Sequence, residues 1–131
     1  MNKILLFFCL VFSVGFVTTN TVRIEDQEAE HVNDTPEEDR IRFYVYYENN
    51  LSVDVYLRIK INGSFVDTVT ISPTTQEESI YFSILTDNSP THQESYTIDV
   101  GQYTSPTGTT SFISDSVLVD NVSGHQGGPG A

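Results

Sequence analysis

Three histidines, at positions 31, 92 and 125, are the side chains best placed to do chemistry near neutral pH, and Cys9 is the single thiol. A metal centre needs such ligands to converge from rigid elements. His31 falls in an acidic stretch, His92 in a polar one and His125 in a glycine-rich end. The expectation is therefore three solvated imidazoles on mobile segments, and no metal site. The many serines lack a Gly-x-Ser-x-Gly elbow, so a nucleophile raised on a strained strand-to-helix turn is not expected. Nor does the chain contain a phosphate-cradling glycine loop, or the Asp-x-Asp-x-Asp-Gly loop with a closing glutamate that dedicated calcium hands use. Neither catalytic residues nor a cofactor are expected, and the chain reads as a non-enzyme.

Two other groups of residues carry possible function. Asn-x-Ser/Thr acceptors occur at Asn33, Asn50, Asn62 and Asn121, and in an exported chain such sites take glycans where they are exposed. Asn62 precedes Gly63 and has a turn to make, so Asn50 and Asn121 are the expected glycan sites. The second group is Arg42, Tyr44, Tyr46, Tyr56, Arg58 and Lys60, which alternate with apolar residues on two neighbouring stretches. If those stretches pair as a hairpin with Tyr47 opposite Val53, Tyr44 faces Tyr56 and Arg42 faces Arg58. One aromatic, basic patch would result, able to dock an acidic segment of this chain or of a partner. The plainer reading is that tyrosine is a good strand former and that lone cations on a solvent face need no reason.

These residues need elements to hold them. Lys3 followed by the apolar run Ile4 to Val17 reads as a signal peptide, residues 1–19, with cleavage fitting after Gly15 or after Thr19. As a helix the run would reach only about 21 Å, against a hydrocarbon core of about 30 Å, so a stable membrane span is not expected. Cys9 lies inside it, behind Leu6-Phe7-Phe8 rather than the small residues of a lipid-anchor signal. The exported body then has no thiol, and its hydrophobic core must hold it without a disulfide. From Glu25 to Asp39, eight of fifteen residues are acidic and none is basic. Residues 20–39 are accordingly expected to form a disordered acidic leader.

From Arg40 the texture is that of strands. Ile41, Phe43, Val45 and Tyr47 alternate with polar neighbours, and Val53, Val55, Leu57, Ile59 and Ile61 do so more strictly. Asn62-Gly63 is the pair a type I′ hairpin prefers. A strand over 64–72 follows, and Asp67 on the parity of Phe65, Val69 and Ile71 predicts a bulge or a twisted edge. Further strands are marked by Ile80 to Ile84, Tyr96 to Val100 and Phe112 to Val119, with turns at Asp87 to Ser95 and from Gly101 to Thr110. The expected fold is all-β, an immunoglobulin-like antiparallel β-sandwich of six to seven strands over residues 40–122, ending in a flexible glycine-rich tail over 123–131.

Within that region Val45 with Asn49-Asn50, Val53-Asp54-Val55-Tyr56-Leu57, Ile61-Asn62-Gly63, Val66-Asp67-Thr68 and Ile80-Tyr81-Phe82 resemble the CARDB domains (cell adhesion related domain in bacteria) of bacterial and archaeal surface proteins. The resemblance covers under a third of the chain. A glycine usual after the first asparagine is absent, and the family's glycine-tyrosine step into a late strand stands here as Ser95-Tyr96. It implies a surface module, adhesive or spacing, without catalysis, and it transfers no functional residue.

A net charge of −12 excludes nucleic acid, whose phosphates demand clustered cations, and disfavours anionic lipid. The expected function is that of a non-catalytic module, secreted or at the cell surface, adhesive, matrix or filament-forming, whose partner is a protein or the cell envelope, with self-association included. The alternative is a soluble module that takes a ligand or carbohydrate at the loops near Asp87 to Ser95 and Ser105 to Thr110.

Overall fold

Period-two alternation has the consequence expected of it. In the computed structural model, which describes residues 19–34, 37–86 and 92–123, seven strands form: β1 (Thr21–Asp34), β2 (Glu37–Glu48), β3 (Val55–Ile61), β4 (Ser64–Ile71), β5 (Glu78–Leu85), β6 (Ser95–Tyr103) and β7 (Ile113–Ser123). They run in the order β4-β3-β6-β7-β1-β2-β5. The sheet curls into a half-barrel, so its two halves face each other as an immunoglobulin-like sandwich. Pairings are antiparallel except where β1 meets β7, and that parallel seam joins the halves.

The core lies between the halves. Ile41, Phe43 and Val45 of β2 meet Val55, Leu57 and Ile59 of β3 and Ile98 and Val100 of β6 in one buried cluster. Each such side chain contributes roughly 1.5–3 kcal/mol by leaving water. Phe43 and Phe82 stack at 5.3 Å between centroids, across the β2–β5 pairing. Asn62 and Gly63 both take positive φ, 51° and 86°, and close the β3–β4 hairpin where the sequence placed it. The expected bulge is also present: Ile59 pairs with Asp67 and Lys60 with Phe65, leaving Val66 as the extra residue.

Three expectations need correction. First, the acidic segment is not a disordered leader within its described residues. Residues 21–34 are β1, and 37–39 begin β2. Ile24 and Ala29 face the core, while Arg42 binds Glu28 (2.6 Å) and Glu30 (2.9 Å). Cross-strand cations and a few inward apolar groups thus suffice where composition alone argues for repulsion. Asp26, at a φ of 55°, marks the bulge at which the strand changes register.

Second, β2 and β3 do not form a hairpin. Tyr47 pairs with Val22 and Glu78, and Val53 sits exposed in the connection. Asn49 is the reason. Fully buried, it donates to the carbonyls of Val53 (2.9 Å) and Ile71 (3.1 Å), which turns the chain out of one half of the sheet into the other. Asn20 ties it to Gln102, bonding Asn49 at 3.2 Å and Gln102 at 2.6 Å, and Gln102 in turn caps the carbonyls of Thr21 and Glu48.

Third, Gly101 is inside β6 rather than in a turn. A Cβ there would come within 2.7 Å of Ser111 Cβ, so the glycine allows the 104–112 connection to lie against the strand. The expected signal peptide, residues 1–19, lies outside the described residues except for Thr19, and the expected tail, 123–131, does so except for Ser123.

Candidate functional site

The two histidines placed on separate mobile segments by the sequence reading come together. β1 carries His31 near its end, and β2 begins with Glu37 and Asp39, both buried. His92 precedes β6 and is only 19% exposed at its side chain. Its segment is pinned to β7, because Asn121 donates its side-chain amide to the Gln93 carbonyl (2.9 Å) and its backbone N–H to the Glu94 carbonyl (2.9 Å).

Glu37 is the centre of the group. Its Oε2 lies 3.1 Å from His31 Nδ1 and 3.0 Å from His92 Nδ1. Asp39, with no exposed surface, places Oδ1 3.2 Å from His31 Nδ1, and its Oδ2 accepts the Tyr96 hydroxyl. On the outer side His31 Nε2 lies 2.5 Å from Asp34 Oδ1, and His92 Nε2 lies 3.9 Å from Glu94 Oε2. The two rings meet edge to face at 6.3 Å. The bond to Asp34 leads in raising the His31 pKa, opposed by desolvation and helped by Asp39 and Glu37.

Two signals in the sequence could have suggested the group. The Asp39 and His31 positions keep strand parity with buried neighbours, and Asn121, taken for a glycan acceptor, lies on the same face of its strand as Val119. Asn121 is 4% exposed, and its amide nitrogen is engaged by Gln93. A glycan there is incompatible with the fold, which corrects that expectation. Asn50 is exposed, with its amide donating to the Thr19 carbonyl.

The six residues of the expected aromatic, basic patch fall on two surfaces. Arg42, Tyr44 and Tyr46 lie on the outer face of β2, where Tyr44 meets Tyr81 of β5 at 5.1 Å and Arg23 of β1 sits 4.7 Å over the Tyr46 ring. Tyr56, Arg58 and Lys60 lie on β3, in the opposite half of the sheet. There Arg58 packs 3.6 Å over Phe65 and donates to Thr68 Oγ1 and to the Gly108 carbonyl, and Lys60 approaches the same ring at 5.2 Å. The β3 cations brace a hairpin and a loop, and the missing β2–β3 pairing separates them from β2. Arg42 holds Glu28 and Glu30 of β1 as a strand partner.

No family model matches the sequence, and no curated protein matches it. Among solved structures the chain is similar to the CARDB domain of the PF1109 protein from Pyrococcus furiosus, crystallised in complex with di-metal ions. The two share 17% identity and a TM-score of 0.50 over 81% of this chain and 94% of that one. The fold is thus CARDB-like, in agreement with the resemblance read from the strand pattern.

Proposed function

We propose that the chain is a non-catalytic module, secreted or held at the cell surface, which binds a protein of the cell envelope through the outer face of β1, β2 and β5. The observation that carries this reading is the open tyrosine cluster on that face. Tyr44 is 37% and Tyr81 50% exposed, with Tyr46 alongside and Arg23 over it. Tyrosine and arginine are the residues that dominate contact energy where proteins meet. The paired strands β2 and β5 present them without further ordering. The CARDB-like fold and the apolar run after Lys3 both favour an extracellular role. Asn50, exposed on a connection, is the proposed glycan acceptor.

The test is cosedimentation of the purified chain with cell envelopes, beside a Tyr44→Ser, Tyr81→Ser double variant. Wild type should pellet and the folded double variant should remain in solution. If wild type stays in the supernatant as a monomer and gains thermal stability with a carbohydrate, the face is not the binding surface and the loop-binding alternative replaces this reading.

A further inference from the structure

We infer that His31, Glu37 and His92 form a binding site for one divalent transition-metal ion of the zinc class, which clamps β1 and β2 to the segment leading into β6. Among the described residues these three offer ligand atoms that all lie within 4.8 Å of one another. In a tetrahedral zinc site, bonds of about 2.0–2.1 Å set ligand atoms about 3.3 Å apart. The contacts of Glu37 Oε2 with the two Nδ1 atoms, 3.1 and 3.0 Å, already have nearly that spacing. An ion could therefore enter with small side-chain shifts.

The surroundings fit the same chemistry. Both imidazoles turn Nδ1 inward; His31 Nε2 is held by the outer carboxylate of Asp34 at 2.5 Å, while His92 Nε2 faces Glu94 at 3.9 Å, beyond hydrogen-bond reach. Ligating histidines are commonly oriented in this way, the outer acid fixing the tautomer and raising the basicity of the inner nitrogen. Behind them Asp39, buried and bonded to Tyr96, supplies further negative charge and an oxygen close to His31. Two nitrogens and a carboxylate suit zinc and its neighbours in the first transition row. Calcium, which takes six to eight oxygens, is poorly matched. The ligands come from three separate stretches of chain, so the ion would join the two halves of the sheet at one end of the sandwich. The clamp is independent of the tyrosine face and stands or falls separately from it.

Calorimetric titration of the untagged, chelator-treated chain with Zn²⁺ tests the inference. The expected result is one ion per chain, a rise in melting temperature, and no comparable effect of Ca²⁺. His92→Gln, on a connecting segment outside the strands, should weaken Zn²⁺ binding by about tenfold or more while circular dichroism remains that of the wild type. His31→Gln should do the same, and His125→Gln should leave affinity unchanged. Substituted Co²⁺ should give the visible bands of a low-coordinate site, lost in His92→Gln. Failure to bind Zn²⁺ stoichiometrically, or binding that His92→Gln leaves intact, would overturn the site.

Discussion

Single residues show that the interior of this small sheet depends on polar side chains as well as on apolar ones. Asn49 illustrates the point: it donates to the carbonyls of Val53 and of buried Ile71, and it accepts from Asn20 and from the Leu51 N–H. Asn49→Ala removes a partner of the buried Ile71 carbonyl and of the buried Asn20 amide, and each orphaned buried group costs about 1–3 kcal/mol. A loss of about 2–4 kcal/mol in urea unfolding is the expected outcome; a change below about 0.5 kcal/mol would mean that water replaces the amide. Gly101→Ala should also destabilise, by about 1–3 kcal/mol, since its methyl would meet Ser111 at 2.7 Å. Thermal melts beside a Gly63→Ala control separate this packing effect from backbone strain. At Gly63 the added Cβ meets nothing, and only the positive φ is penalised.

Among the elements, β2 to β7 could be read from alternation and turn chemistry, and β1 could not. β3 shows why the first succeeds. Its four inward residues, Val55, Leu57, Ile59 and Ile61, are all buried, and the Asn62-Gly63 turn fixes its partner. β1 buries Ile24 and Ala29 in the core with Val22 packed against it, and its acids mimic the composition of a disordered tail. What offsets this is non-local: Arg42, distant in sequence, and two flanking strands. The metal-capable group escaped for the same reason. Its members lie on β1, β2 and the approach to β6, and no spacing rule links them before the sheet closes. Deletion of residues 1–36 distinguishes the readings. It exposes one edge of β2, opens the seam to β7 and removes buried Ile24 and Ala29, so the remaining chain should lose its cooperative thermal transition. A trimmed leader would leave that transition unchanged.

For the whole molecule, charge and fold pull against each other. Eighteen acidic residues face six basic ones, and several of the latter are committed to pairs such as Arg23 with Glu25 and Glu77. Screening weakens those exposed pairs, which are worth little individually, and also weakens the repulsion among the remaining acids. Repulsion is the larger effect at this net charge. The melting temperature should rise between low and moderate sodium chloride, and a fall would show that the cross-strand pairs dominate. The tyrosines and the histidine group lie at separate parts of one sheet, so the proposed binding face and the proposed ion site can each be altered without disturbing the other.

The sandwich depends most on the acidic N-terminal segment, which forms the strand that closes it. Amide hydrogen exchange, followed by NMR on the purified chain, tests this directly. The amides of Ile24 and Ala29 should be protected to nearly the same degree as those of Phe43 and Val45 in the core of β2. Exchange of the whole 21–34 segment at the rate of a free peptide, with β2 still protected, would contradict it.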